Sequence, residues 1–244
     1  MQKIYGPTYQ IKTPSKSLPY GIGLRGSSFP EEVRRVLDPD RSAICIELKL
    51  TDDKACQEAV KVRSNSRAAA VLEAEFVGGI VVCYLEMVGR STVTSVFIAV
   101  PHHTQRLAIL NKIQLPELER TYPSAQIKVD TIEKMQGQEA DLVVVCFALF
   151  DDFTLVNEMA FLYSVHRWIV ALSRARCKTV LLMTPELKAP KIMGGTGKAD
   201  PGSLETLDGW GLLQAFERYA EDLKGKLVWP INQEFLQSIG MKDV

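Results

Sequence analysis

No apolar run in this sequence is longer than the nine residues from Leu142 to Phe150. A helix needs roughly 20 apolar residues to cross a bilayer, so no membrane partner is expected. The opening residues, MQKIYGPTYQIKTPSKS, contain no apolar core of the kind a secretory signal has. Paired cysteines are absent as well: the five, at 45, 56, 83, 146 and 177, are widely spread with no CxxC spacing. Most sit inside apolar runs, a pattern that fits reduced, buried thiols in an intracellular protein of nucleus or cytoplasm rather than a disulfide framework. The three histidines, at 102, 103 and 166, share no ligand-like spacing with those cysteines, which argues against a metal site. Charge of one sign is lacking too. Lys+Arg and Asp+Glu each number 29, so a nucleic-acid contact has to come from a local basic surface.

A phosphate-binding loop is also missing. Such a loop needs glycines whose backbone N–H groups cradle phosphates, followed by a Lys and a Ser or Thr for charge and Mg²⁺. In the one candidate, IMGGTGKAD, Ile192 stands where the first glycine belongs and Ala199 replaces the hydroxyl residue, and no buried strand leads into it. It reads as an ordinary loop. FALFDDF ends an apolar strand in acids, as a Walker-B strand does, but without its partner loop it reads as a solvated strand end.

What is present is an alternation of strands and helices. The first forty residues are rich in Pro, Gly and Ser and read as loop. AICIELK follows as a strand, and SNSRAAAVLEAEFVGGIVVCYLEMVG has Leu72, Phe76, Ile80, Cys83 and Met87 on one helical face. The Gly78-Gly79 pair weakens that helix in its middle, and Gly89 is its natural stop. TSVFIAV is a strand ended by Pro101, HTQRLAILNKI a short helix, and PELERTYPSA a loop. QIKVDTI alternates like a strand, whereas DLVVVCFALF and KTVLLMT are continuously apolar, as strands buried on both faces are. Between them FLYSVHRWIVALSRA is expected to form one amphipathic helix, and a further helix is expected from Leu204 to Leu223, ahead of a tail. The pattern predicts an α/β fold with a mostly parallel sheet and helices on both faces. Chemistry is then expected at the carboxyl ends of strands, in PHHTQ, EKMQGQEAD and FDDFTLVNE.

Three segments carry phosphate-directed groups. In VDTIEKMQGQEAD, Gly137 permits close backbone approach or positive φ, Gln136 can hydrogen-bond phosphate or water, and Glu139 can accept from sugar hydroxyls. Taken alone, this is also what a polar β-turn with a structural glycine looks like. In SVHRWIVALSRARCK, Arg167 and Arg174 are seven residues apart and are expected on one helix face. From Ala160 to Lys191 there are six Lys/Arg (167, 174, 176, 178, 188, 191) against one acid, Glu186. A solvated face with arginines at a helix C-terminus is the plainer alternative. PHHTQ places Gln105 and two histidines at a strand end, and by itself it also fits a simple loop.

In this order, PHHTQ, VDTIEKMQGQEADLVVVC and VALSRARCKTVLL resemble motifs IV, V and VI of the second RecA-like domain of superfamily 1 helicases. The subgroup is that of the RNA-surveillance and replication helicase–nucleases. The resemblance covers about residues 62–186, and SLPYGIGLRG is more weakly similar to the segment joining that family's two motor domains. It implies a RecA-like, P-loop-NTPase-type fold without its own P-loop. The implied organisation is an N-terminal loop-rich segment with one strand over 1–60, a motor domain over 61–190 and a C-terminal helical extension and tail over 191–244.

The resemblance also implies roles. Arg174 would be the arginine finger that stabilises the transferring γ-phosphoryl group of ATP. Glu139, Gly137, Gln105 and Arg67 would contact nucleotide, while Thr131, Gln136 and Arg167 would meet the nucleic-acid strand. ATP and Mg²⁺ would be bound only with a first RecA-like domain, supplied on another chain, and single-stranded DNA or RNA would be the partner. The sequence departs from the family pattern at His102 and His103, which replace an aromatic–basic pair, and at Ile169, where asparagine is common. The Asn-x-x-Glu-Ala element is stretched to NSRAAAVLEA, with Arg67 and Glu73 as counterparts. Three functions follow: half of an ATP-dependent motor, a helicase-derived module that binds single strands or protein without hydrolysis, or an unrelated α/β domain. On all three, the chain alone is expected not to turn over ATP.

Overall fold

Strands β1 (Ala43–Leu50), β2 (Thr94–Val100), β3 (Ala125–Thr131), β4 (Ala140–Phe147), β5 (Ala175–Met183) and β6 (Lys226–Ile231) form one sheet in the order β3-β2-β4-β5-β1-β6. Every neighbouring pair is parallel. The computed structural model describes residues 31–51, 62, 65–147, 150, 152–189, 204–232 and 235–236. SLPYGIGLRG, IMGGTGKAD and Asp151 of FALFDDF lie outside the described residues.

The central strands explain their own composition. β2 is buried at all seven positions, and β4 and β5 are buried along nearly their whole length. Parallel strands covered on both faces have no wet side for polar residues to occupy. One face carries Ile44, Ile98, Val144 and Val180 under helices α1 (Glu31–Val36), α2 (Ser66–Val88) and α3 (His103–Ile113). On the opposite face Cys45, Val143, Val145 and Leu181 meet α5 (Asp152–Asn157), α6 (Met159–Leu162), α7 (Val165–Leu172), α8 (Pro185–Lys188) and α9 (Leu204–Asp222). Between α3 and β3 lies α4 (Leu115–Thr121). β3, at the sheet's edge, alternates in burial, as its sequence does.

α2 is long and apolar enough by composition to cross a membrane, and most of it is buried inside this fold. It opens on the Asn65 side chain, which accepts from the Arg67 and Ala68 amides, and stops at Gly89 with a φ of +84°. The Gly78-Gly79 pair does not interrupt it. Gly78 faces α3, where an added Cβ would stand 3.0 Å from Lys112 Cγ, while Gly79 faces open space.

The structure differs from the sequence expectation in four places. PELERTYPSA is not all loop: Pro116 opens α4, where a proline costs no helical hydrogen bond. The expected single helix over FLYSVHRWIVALSRA is broken into α6 and α7. The chain turns at Tyr163 and Ser164, so that the Tyr163 hydroxyl donates to the Leu187 carbonyl at 2.5 Å. α7 ends at Leu172, so Arg174 is not on the helix that carries Arg167. Finally, KLVWPI in the expected tail is a strand, and β1 and β6 flank each other in the same sheet, so that sheet draws on all three expected segments. Trp210 and Trp229 pack back on the core, the first donating to the Lys188 carbonyl at 3.0 Å and the second edge-on to Phe76.

The glycines give opposite expectations. Gly79→Ala raises unfolding free energy by about 0.5–1 kcal/mol, since it removes backbone entropy from an exposed helix position. Gly209→Ala lowers it, because the new Cβ would fall 1.5 Å from the Tyr163 carbonyl oxygen. Denaturant midpoints of the two variants against the parent chain check both signs.

Candidate functional site

β3 ends at Thr131, at the carboxyl end of the sheet. The chain then returns through a 3₁₀ turn (Ile132–Met135) and residues 136–139 to start β4 at Ala140. Ile132 and Met135 are buried and pin this return to the sheet, while residues 136–139 are exposed. Gly137 has a φ of +78°, the left-handed region where a side chain would be strained. Gln138, though exposed, is engaged: its amide donates to the Lys134 carbonyl and its oxygen accepts from Lys128, both at 2.9 Å. Gln136 and Glu139 are left as the outward-facing polar side chains of the turn.

α7 runs back to this same edge. Past its end at Leu172, the Arg174 carbonyl accepts from the Ala140 amide at 3.0 Å. Arg174 therefore sits beside Ala140, where residues 136–139 lead into β4, at the amino end of β4 and β5 and not at a carboxyl end as expected from sheets of this class. Its guanidinium is half-buried and donates to the Ser173 hydroxyl at 3.2 Å from Nε and 2.7 Å from Nη2. Among the described residues no carboxylate pairs with it. Arg176, two residues on, is instead held by Asp141 and Ser95, with Nε 3.0 Å from Asp141 Oδ1 and Nη2 2.7 Å from Ser95 Oγ.

The remaining expected site residues lie elsewhere. Gln105, in the first turn of α3 at the carboxyl end of β2, is only 4% exposed, and its amide donates to the buried Glu73 carboxylate at 2.7 Å. Arg67 is exposed on the first turn of α2 at the same end. Neither Gln105 nor Arg67 therefore joins Gly137 and Glu139: the seven residues of β2, about 20 Å of extended chain, separate the two ends. Thr131 is also at the carboxyl end and buried. Arg167 is engaged within the chain, with Nε 2.6 Å from Glu133 Oε1, Nη1 3.1 Å from the Phe161 carbonyl and its guanidinium carbon 3.3 Å from the Phe161 ring centre. His102 stacks on the same ring and places Nε2 3.1 Å from Glu158 Oε2. Burial, reinforced by Arg167, lowers its pKa against the opposing pull of Glu158.

The run of basic residues from 160 to 191 is not a basic surface. Arg167 meets Glu133, Arg176 meets Asp141, and Lys188 meets Glu217 at 2.6 Å. Lys178 is fully buried, with its ammonium donating to the Asp38 and Arg41 carbonyls, and Lys191 lies outside the described residues. Acids from distant parts of the chain thus pair with Arg167, Arg176 and Lys188, while Lys178 is buried on carbonyls and Arg174 has no carboxylate among the described residues. These pairings were hidden in the sequence because they are long-range: Ser95 is 46 residues from Asp141 and 81 from Arg176.

The sequence model of one family, described as an AAA domain, matches residues 13–186. The chain belongs to the AAA domain family. No curated protein matches it. The match and the parallel sheet together make this a helicase-like AAA domain with an α/β, RecA-like arrangement. Among the described residues of this AAA domain, no cluster of acids, histidines and cysteines suits a metal ion. The half-buried Arg174 guanidinium, without a carboxylate among the described residues, is chemically able to meet an anion.

Lys178 gives this edge a pH dependence. Burial pushes its pKa down to about 7 from the usual 10.5. The unfolded chain then binds more protons than the folded one above pH 7, so stability rises with pH. Between pH 7 and 8, where thiols with an ordinary value near 9 are still mostly protonated, denaturant midpoints should climb for the parent chain. Lys178→Met should flatten the climb.

Proposed function

We propose that this AAA domain is the second motor domain of a superfamily 1 helicase of the RNA-surveillance and replication helicase–nuclease type, working with a first RecA-like motor domain on the same or another polypeptide. One observation carries the reading. Arg174 holds a half-buried guanidinium whose partner among the described residues is the neutral Ser173 hydroxyl, while the neighbouring Arg176 has a carboxylate. A guanidinium placed this way, beside an exposed turn with backbone at positive φ, is completed by an anion.

The chemistry follows from charge. A γ-phosphoryl group in transfer spreads negative charge over its outer oxygens, and a fixed planar cation stabilises that state more than the ground state. Arg174 supplies the cation, and Ser173 orients its Nε and Nη2. Gly137 brings backbone close to the ligand, and the Glu139 carboxylate accepts from ribose hydroxyls. ATP with its Mg²⁺ would be held chiefly by the P-loop and acids of the first motor domain. Gln105 takes no part, because it is buried against Glu73.

Single-stranded DNA or RNA is the proposed track, gripped mainly through its backbone. Of the three residues expected to meet it, Gln136 presents an exposed side chain. Arg167 joins only by exchanging Glu133, itself half exposed, for a phosphate. With Arg167 and Arg176 already held by acids, the site itself offers few cations to a strand, which implies a shallow salt dependence of binding there.

With a first motor domain supplied, Arg174→Ala should lower nucleic-acid-stimulated ATP turnover by about 10³-fold or more and leave the melting temperature in place. The chain alone should show no turnover. An Arg174→Ala motor that keeps its rate would remove the finger from the reaction.

A further inference from the structure

Arg176 and Asp141 are the second arginine and the last acid of the two motifs, and the proposed function assigns neither. The pairing of β4 with β5 changes step where they sit. Ala140 lies opposite Ala175, but Leu142 lies opposite Lys178. β5 therefore uses three steps where β4 uses two, and Arg176 and Cys177 together face Asp141. An extra residue of this kind is a β-bulge, a feature that re-aims side chains at the rims of sheets. Side chains alternate along a strand, so removing the extra residue would turn the residues before it to the opposite face. Arg174 is two residues before Arg176.

The bulge is tied down by a compact network. Arg176 Nε and Nη2 each lie 3.0 Å from Asp141 Oδ1, and Nη2 also donates to Ser95 Oγ at 2.7 Å. Asp141 Oδ2 accepts from the Ser95 amide at 2.9 Å, from Ser95 Oγ at 3.0 Å and from Thr94 Oγ1 at 3.4 Å. The Asp141 amide returns a bond to Ser95 Oγ at 3.0 Å. β2, β4 and β5 are thus fastened at one point, next to the Ala140–Arg174 hydrogen bond. Arg176 is 43% exposed. An arginine this open to water adds little to global stability by its pairing, so the consequence of its bond to the more buried Asp141, 17% exposed, is local geometry.

We propose that Arg176 and Asp141 are positioning residues for Arg174: their ion pair fixes the β5 bulge and thereby holds Arg174 at the start of β4. The proposal rests on the reading of Arg174 as the group that meets the γ-phosphoryl oxygens, and its test separates the two.

The first arm uses hydrogen exchange on the chain by itself. In Arg176→Gln and in Asp141→Asn, protection of the Ala140 amide should fall about tenfold or more, as local opening predicts, while amides of α2 and β1 keep theirs. Arg176→Lys, which retains the charge but not the second bond to Ser95, should fall between. Unchanged protection at Ala140, or a loss shared by α2 and β1, overturns the proposal.

The second arm measures nucleic-acid-stimulated ATP turnover with a first motor domain present. Arg176→Gln should lower kcat by roughly 10–10² with KM for ATP unchanged, the size expected of a misplaced catalytic group. It should add nothing further to Arg174→Ala, because both act through one guanidinium. Wild-type kcat in Arg176→Gln, or losses that add in full, overturns the proposal. If Arg174→Ala itself leaves turnover intact, the finger reading fails, and the exchange arm still decides whether the ion pair holds the bulge.

Discussion

Burial of the central strands on both faces is the constraint that arranges everything else in this molecule. β2, β4 and β5 lie between two apolar layers, and their side chains leave almost no interior position for a polar group. Apart from Lys178 and Thr179 inside β5, the polar residues of these strands lie at their ends. The 3₁₀ return from β3 and the descent of α7 bring two sets of them to the amino end of β4 and β5. The turn that holds Gly137 and Glu139 and the segment that holds Arg174 come to the same edge for that reason, joined at Ala140 and Arg174, although the sheet's carboxyl ends are the usual place for chemistry in open α/β folds.

The carboxyl end has a different character. Gln105, Glu73, His102, Glu158, Phe161, Arg167 and Glu133 are engaged with one another through hydrogen bonds, ion pairs and ring contacts. That end joins α2, α3, α6, α7 and the 3₁₀ turn into one structural unit. α2 spans the two ends: Glu73 receives Gln105 near its start, and the Tyr84 hydroxyl lies 2.5 Å from Thr94 Oγ1 near its finish. A single rigid helix thus touches both the carboxyl-end cluster and the strand that carries Ser95.

The strands were legible in the sequence because two-sided burial writes a continuous apolar run, as in DLVVVCFALF and KTVLLMT. α2 was legible from its apolar face and its Gly89 stop. β6 was not, because KLVWPI sits at an edge, is short, and carries a proline that a central strand would reject. The break between α6 and α7 was hidden too, since Phe161, Val165, Trp168 and Leu172 keep helical spacing across a turn fixed by contacts to Leu187 and Gly209. At the site, the motif order placed Arg174 and the Gly137 turn on the same edge only once the fold was known. Charge misled more than pattern did. Counting neighbours along the chain made residues 160 to 191 look basic, whereas Glu133, Asp141 and Glu217 close over those cations from far away in sequence.

The central claim is that Arg174 completes an anion site that becomes fully charged only during phosphoryl transfer. Binding of ADP, with and without aluminium fluoride standing in for the transferring group, tests it directly in the motor completed by a first domain. The account predicts that Arg174→Ala weakens the aluminium fluoride complex by on the order of 10²-fold or more and leaves ADP affinity unchanged, as differential stabilisation requires. Equal weakening of both, or of neither, would contradict it.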